Sequence, residues 1–376
     1  MAFTLDNVVE NVVSIKVIGV GGAGNNVVSR MVSNGVQGIK FVSINTDKPT
    51  LDVSGADIKV QIGKKITRGQ GAGSNPEIGR RSAEESRNAI EKVFEDTDMA
   101  FITAGMGGGT GTGAAPIVAE LAREAGVLTI GVVTKPFKFE GAKKMKIAEA
   151  GVKEMLERVD TLLVIPNEKL KEVSNQKVTF ANAFDVADNV LLQAVIGIAD
   201  LLRNTSFINL DFADLKTIMK GAGYAHMGVG AAAGRNKIEE ASQSAIHSPL
   251  METTIEGARR VLVNVTGSMD ITMEDVESIV EKVHQAAHPD ANIIFGCDFD
   301  TEMSDAVKIL VIATDFATKP SKRLIELSQS EASSSSPPKP VPEAPDRNAE
   351  PQPQEPEKPS MSEDGWDELA KFFNND

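Results

Sequence analysis

Between Ser14 and Asn167 short apolar runs rich in β-branched residues recur along the chain: SIKVIGV, IKFVSIN, KVQIG, DMAFITAG, VLTIGVV and VDTLLVIPN. Segments with helical periodicity separate them. Strands alternating with helices predict a mostly parallel sheet covered on both faces. Ligands of such sheets sit beyond the carboxyl ends of the strands.

The period changes at residue 182. In NAFDVADNVLLQAVIGIADLLR (182–203) the apolar positions Phe184, Ala187, Leu191, Ala194, Ile198 and Leu201 are spaced alternately three and four apart, which predicts one long helix with a continuous buried seam. Beyond it come a helix-rich NKIEEASQSAIH, a strand ARRVLVNVTGS, a helix TMEDVESIVEKVHQAAH, and the strands NIIFGCDFD and DAVKILVIATDF. This order predicts a second, smaller α/β domain on the far side of the long helix. The expected divisions are an N-terminal extension (1–13), a first α/β domain (14–181), the central helix (182–205), the second domain (206–318), a linker (319–360) and a terminal peptide (361–376).

Composition adds the linker. From Ser328 the segment SSSSPPKPVPEAPDRNAEPQPQEPEKPS carries almost nothing apolar and cannot bury enough surface to offset its chain entropy, so disorder is expected there. Residues 328–376 hold eleven acidic and four basic side chains, half of the formal net charge of −14. Neither half of the chain offers a basic stripe for nucleic acid, and no apolar run approaches the roughly 20 residues that span a bilayer. The start, MAFTLDNVVENVV, lacks the features of a secretory signal, so a cytoplasmic location is expected. A single cysteine, Cys297, excludes an internal disulfide and reads as a small hydrophobe in a strand. His284 and His288 have the i, i+4 spacing of a ligand pair, but no third ligand is implied and they read as helix surface.

Two glycine loops carry the chemistry. The first strand runs into GVGGAGNN, where Gly19, Gly21 and Gly24 satisfy the dinucleotide fingerprint and Asp47 falls where a ribose-binding acid would sit. Alone this suggests a nicotinamide enzyme. A second loop, Gly107, Gly108, Gly109, Thr110, Gly111, Thr112 and Gly113, follows another strand and leads into the helix AAPIVAELAREA. Bare amides with interleaved hydroxyls at a helix N-terminus form a nest for phosphate oxygens, and two such loops point to a nucleoside triphosphate. The alternative for the second loop is a tight turn that packs helix on sheet. The usual triphosphate loop is missing, since QIGKKIT has Ile58 where its first glycine belongs.

GGGTGTG resembles the tubulin signature, and with VGGAGNN, TRGQGAGSNPEIG, FEGAKK and NLDFAD in this order the chain is similar to the FtsZ family of bacterial, tubulin-like division GTPases over residues 14–318. The resemblance implies a tubulin-like α/β fold, in which a mostly parallel, Rossmann-like GTPase sheet is joined by a long central helix to a smaller α/β domain. It also implies GTP-dependent filaments that form a ring at the mid-cell division site. By the resemblance, Gly21, Gly22 and the 107–113 loop hold the phosphates of GTP or GDP, with Gly71, Ala72 and Gly73 near the terminal phosphate. Glu140 meets the ribose, and Asn26, Asn167, Phe184 and Asp188 frame the base. Phe184 and Asp188, at i and i+4, can face one ligand, though a core phenylalanine and a solvated carboxylate would have the same spacing. Where the family usually has arginine, this chain has Lys144, which keeps the charge but loses the planar fork.

Asp211 and Asp214 open a helix three residues apart, as a helix cap would and as a water-orienting carboxylate pair would. They lie some 20 residues of about 1.5 Å rise, about 30 Å in all, from the base-binding end of the long helix. The resemblance implies that Asn209, Asp211 and Asp214 complete the pocket of the next subunit in a head-to-tail homopolymer. Beside the polyphosphate this negative loop calls for a cation, and Mg²⁺ held mainly by phosphates and water suits it. In the terminal peptide Trp366, Leu369 and Phe373 make one stripe if helical, where the family binds membrane-tethering and regulatory division proteins; the family's usual Ile-Pro pair is absent. Three readings stand: a filament-forming GTPase, a nicotinamide oxidoreductase, and a non-catalytic nucleotide-regulated scaffold. The second phosphate loop counts against the oxidoreductase and the two aspartates against the scaffold.

Overall fold

The computed structural model describes residues 13–173, 179–180, 182–203, 211–248, 254–301 and 303–316. Its ten strands are β1 (Ile15–Val20), β2 (Lys40–Asn45), β3 (Ile58–Gln61), β4 (Met99–Gly105), β5 (Leu128–Lys135), β6 (Thr161–Pro166), β7 (Gly223–Ala233), β8 (Ala258–Gly267), β9 (Asn292–Phe299) and β10 (Ala306–Phe316). They form one sheet in the order β3-β2-β1-β4-β5-β6-β7-β10-β8-β9. From β3 to β7 all neighbours are parallel; β10 runs antiparallel to both β7 and β8, and β9 is parallel to β8. This is the mixed α/β, mostly parallel architecture expected.

Strand alternation sorts the core into two layers. Ile15 and Val17 of β1 join the core beneath the Gly21–Ser33 helix and the central Ala183–Arg203 helix, while Ile18 and Val20 join the one beneath the Thr110–Glu124 and Ala142–Arg158 helices. A third core lies under the Lys237–Ile246 and Met273–Ala286 helices, against β8 and β10. Cys297 is buried in β9.

Two features differ from the sequence reading. GYAHMGVGAAA, poor in β-branched residues, forms β7. Gly228 and Gly230 are there because a helix lies directly on the strand: a Cβ at Gly228 would stand 1.8 Å from the carbonyl oxygen of Ala245, and one at Gly230 1.9 Å from that of Ala241. Along the central helix, Ala187, Leu191, Ala194, Ile198 and Leu201 are buried as the spacing predicts, but Phe184 is 49% exposed. The seam therefore begins one turn later, and the ring at its head is left for another use.

Leu191→Ala should lower stability by about 2–5 kcal/mol, the usual cost of removing a buried leucine from a closely packed core. Gln193→Ala, on the exposed face of the same helix, should stay within about 0.5 kcal/mol of the parent. Urea unfolding followed by circular dichroism measures both, and equal losses would place the seam elsewhere.

Candidate functional site

β1 and β4 are neighbours, yet the chain leaves β1 toward β2 on one side and β4 toward β5 on the other. At this switch in direction two helices begin, Gly21–Ser33 on one face and Thr110–Glu124 on the other, so two sets of free helix N–H groups converge beyond the strand ends. The loops touch backbone to backbone. Gly21 has φ +75°, and a Cβ on it would stand 2.8 Å from the amide nitrogen of Gly111.

The glycines divide by what surrounds them. A Cβ on Gly113 would lie 1.9 Å from the carbonyl oxygen of Pro76, so this residue serves the packing of the Thr110–Glu124 helix on the Pro76–Glu85 helix. Nothing lies within 4 Å of a Cβ built on Gly22 or Gly108. Both face a cavity of about 280 Å³.

That cavity gathers Gly22, residues 107–111, Glu140, Lys144, Asn167, Phe184 and Asp188, drawn from segments up to 166 positions apart in the sequence. The other expected contacts stand outside its lining. Thr112 turns its hydroxyl inward to accept from the N–H of Gly107 at 2.9 Å. The 71–75 loop lies against Gly109, whose Cβ would meet Ala72 Cβ at 2.9 Å and Asn75 N at 2.8 Å. Gly21 and Gly113 are buried in loop and helix packing, and Asn26 is exposed on its helix. Its neighbour Asn25 is the buried one, with an amide that bonds the carbonyls of Gly19 (2.9 Å) and Gly21 (3.2 Å) and accepts from Asn45 (3.0 Å), closing the first loop. Thr134 and Pro136, at the end of β5, also line the cavity. The sequence signal for them was only their place at the carboxyl end of a parallel strand.

Polar groups around the cavity are unevenly satisfied. Glu140 accepts from the backbone N–H of Phe137 at 2.9 Å and from Lys144 Nζ at 3.2 Å, so the lysine charge rests on this carboxylate. The buried Asn167 Oδ1 has no hydrogen-bond partner among the described residues. Phe184 meets the buried Phe137 edge to face at 5.6 Å. One turn on, burial pushes the Asp188 carboxyl up to about 6; Arg30 pulls it down and Asp185 adds to the rise. Arg30, on the Gly21–Ser33 helix, donates to the Asp185 carboxylate and carbonyl and to Asn189 Oδ1 at 2.9 Å, tying that helix to the first turns of the central one.

Asp211 and Asp214 lie apart from this cavity. Asp211 caps the Phe212–Met219 helix, its Oδ1 accepting from the N–H of Asp214 at 2.7 Å. The far end of that helix is bonded to Thr161, and Gly221 N–H reaches Asp160 Oδ1 at 3.3 Å, both at the start of β6. Asn167, in the cavity, follows the end of β6. About 20 Å of strand separates the two, at about 3.3 Å per residue. Asn209 lies outside the described residues. Among those described, no three His, Cys, Asp or Glu side chains gather as a metal cage, and no helix is long and apolar enough to cross a membrane.

Gly108→Ala should leave thermal stability within about 0.5 kcal/mol of the parent while weakening triphosphate binding, because its methyl group enters only the cavity. Gly113→Ala should do the reverse, losing several kcal/mol, on the order of an overpacked core. Equal behaviour of the two variants would merge the packing and binding roles separated above.

Residues 14–175 match the model of the Tubulin/FtsZ family GTPase domain, and residues 223–317 match that of the FtsZ family C-terminal domain. An empty FtsZ dimer from M. jannaschii is 44% identical, covering 80% of this chain and 88% of that one, with a TM-score of 0.76. CetZ2 from Haloferax volcanii, solved as a GTPγS-bound protofilament, is 20% identical over 85% of this chain and 98% of its own, with a TM-score of 0.71. CetZ1 from the same organism, a GDP-bound monomer, is 22% identical over 85% and 99%, with a TM-score of 0.71. The chain therefore belongs to the tubulin/FtsZ family, and it is a GTPase that binds guanine nucleotide.

Proposed function

We propose that this GTPase polymerises head to tail into filaments that build the contractile ring at the site of bacterial cytokinesis, each active site being completed by the next subunit. One observation carries the reading: the helix that opens with Asp211 and Asp214 is anchored at the edge of the sheet opposite the glycine-loop cavity. The two carboxylates would have to serve a nucleotide bound by another chain. The described residues from 14 to 203 act as the nucleotide half, and those from 211 to 316 as the half offered to the neighbour.

Within the pocket, the amides of Gly22 and residues 108–111 receive the phosphates, while Gly21, Gly107, Thr112 and Gly113 hold the two loops in shape and residues 71–73 stand beside the terminal phosphate. Glu140, steadied by Lys144, accepts from the ribose. Phe184 stacks on the base with Asn26 at its rim. Asn167 supplies the buried acceptor, and a donor from the ligand would end its isolation, which costs about 1–3 kcal/mol. The Asp188 carboxylate accepts from N1–H and the amino group of guanine, and adenine presents neither in that geometry.

Asp214, with Asp211 and Asn209 of the adjoining subunit, orients water toward the γ-phosphate. Mg²⁺ fits a donor set that, among the described residues, includes no protein cage, because it keeps its waters and binds through phosphates. It would supply charge neutralisation to the terminal phosphates. The protein works in the cytoplasm at mid-cell, and residues 361–376, outside the described residues, recruit membrane-tethering and regulatory division proteins. Deleting that peptide should leave hydrolysis intact.

Selectivity should depend on pH. Guanine needs the ionised Asp188, whose carboxyl titrates at about 6, so protons compete with the base below that value. The ratio of GTP to ATP affinity, in which the phosphate titrations cancel, should fall about tenfold per pH unit below 6. Calorimetric titration measures it, and a ratio constant from pH 7 to 5 would remove Asp188 from base recognition.

Split catalysis predicts rescue between dead variants. Gly108→Trp fills a pocket but leaves the aspartates, whereas Asp214→Asn keeps the pocket and loses a carboxylate. Co-assembled, some junctions pair an intact pocket with an intact Asp214, and phosphate release should exceed the sum of the separate variants. Co-pelleting filaments without that gain would mean catalysis within one chain.

A further inference from the structure

The Phe212–Met219 helix is short, and a helix end leaves its last carbonyls without an internal donor. Here the carbonyls of four successive residues, Thr217 to Lys220, find side-chain donors on three strands. Arg260 of β8 donates from one Nη to Thr217 O at 2.9 Å and to Lys220 O at 3.3 Å. Thr314 of β10 donates to Ile218 O at 3.0 Å, and Thr161 of β6 donates to Met219 O. Arg260 and Thr314 are cross-strand partners in the β8–β10 register, so two of the three donors come from one pair of the ladder.

Arg260 is the charged member and spans two carbonyls. It brings a cation to the negative end of the helix dipole. Its own direction is fixed by Asp315, whose Oδ2 accepts from Nε at 3.1 Å and whose backbone holds φ +58°. Beneath, Leu215, Ile218 and Met219 are buried in the core. The first turn of the same helix carries Asp214, whose N–H is held by Asp211. A tilt at the clamped end would therefore displace the carboxylates at the other.

We infer that Arg260 is a positioning residue for hydrolysis in the neighbouring subunit: by clamping the far end of the Phe212–Met219 helix it sets where Asp211 and Asp214 point, without touching nucleotide. The inference deepens the split-site reading and rests on it. A misplacement of about 1 Å can lower turnover a hundredfold, so the clamp has rate to control even if the fold survives its loss.

The test uses full-length Arg260→Met and Arg260→Lys. Binding of GTP to the unassembled variants should stay within twofold of the parent, because the pocket lies at the opposite edge of the sheet. Phosphate release per pelleted subunit should fall ten- to a hundredfold, by roughly the scale of a positional error, for the methionine variant and less for lysine, which keeps one charged donor. Mixing then locates the defect. Arg260→Met should be rescued by Gly108→Trp, which supplies a sound aspartate face, and not by Asp214→Asn, which is damaged on the same face. Parental turnover in Arg260→Met polymers, or rescue by Asp214→Asn, would overturn the inference. If the methionine variant does not fold, parental turnover in Arg260→Lys overturns it. Should Gly108→Trp and Asp214→Asn fail to rescue each other, the split-site reading falls and takes this inference with it; should they succeed while Arg260→Met hydrolyses normally, only this inference falls.

Discussion

The nucleotide half of the molecule depends on how closely two helix N-termini approach each other at the boundary of β1 and β4. Gly21 against Gly111 leaves no room for a side chain, and the same holds within the first loop, where a Cβ on Gly19 would lie 2.3 Å from Gly24 O. Each helix brings roughly half a positive charge to its N-terminus, so the convergence sets like poles beside each other. An anion between them relieves that repulsion. The steric need for glycine and the electrostatic demand for phosphate are two consequences of one geometry.

The end of the cavity lined by Asp188 and Asn167 has the same character. Asp188 is held where burial raises its carboxyl to about 6, above its ordinary 3.8. The folded state without ligand thus binds this proton more tightly than the unfolded chain, and its stability falls as pH rises from about 4 to 6, then levels. Asn167 keeps a buried acceptor with no described partner. Under the proposed reading both burdens are removed by donors that guanine nucleotide carries, and binding strength then comes partly from these two unmet groups. Arg30 limits them: its guanidinium bridges the two helices whose starts frame the cavity and offsets part of the desolvation of Asp188.

Much of this was legible in the chain. All six early strands stand where the apolar runs are, and the fingerprint glycines sit at a strand end as the dinucleotide pattern requires. What escaped had no local signature. β7 is a strand because a helix covers it, and its Gly and Ala content, which argues against a strand in isolation, is the condition for that contact. Phe184 obeys the helical seam but is exposed, since Phe137 from another segment takes its inner edge and the cavity takes the rest. Gly113 belongs to the same signature as Gly108 and yet serves helix packing. Asp211 is a helix cap as its residue type suggests, its carboxylate accepting from the backbone N–H of Asp214.

The placement of the two halves also bears on the kind of assembly they permit. The cavity opens at the carboxyl edge of the parallel strands, and the Phe212–Met219 helix is fixed at their amino edge by Thr161 and Asp160. Two surfaces on opposite edges cannot both be used in a closed two-fold dimer, where each partner offers the same patch. In the proposed assembly they pair head to tail, and a heterologous contact that does not close on itself extends without limit. Under the proposed reading, filament growth and hydrolysis then need no separate devices. The contact that adds a subunit is the one that brings carboxylates to the phosphate, and the sheet between cavity and helix, buried on both faces, keeps a lone chain from doing the same.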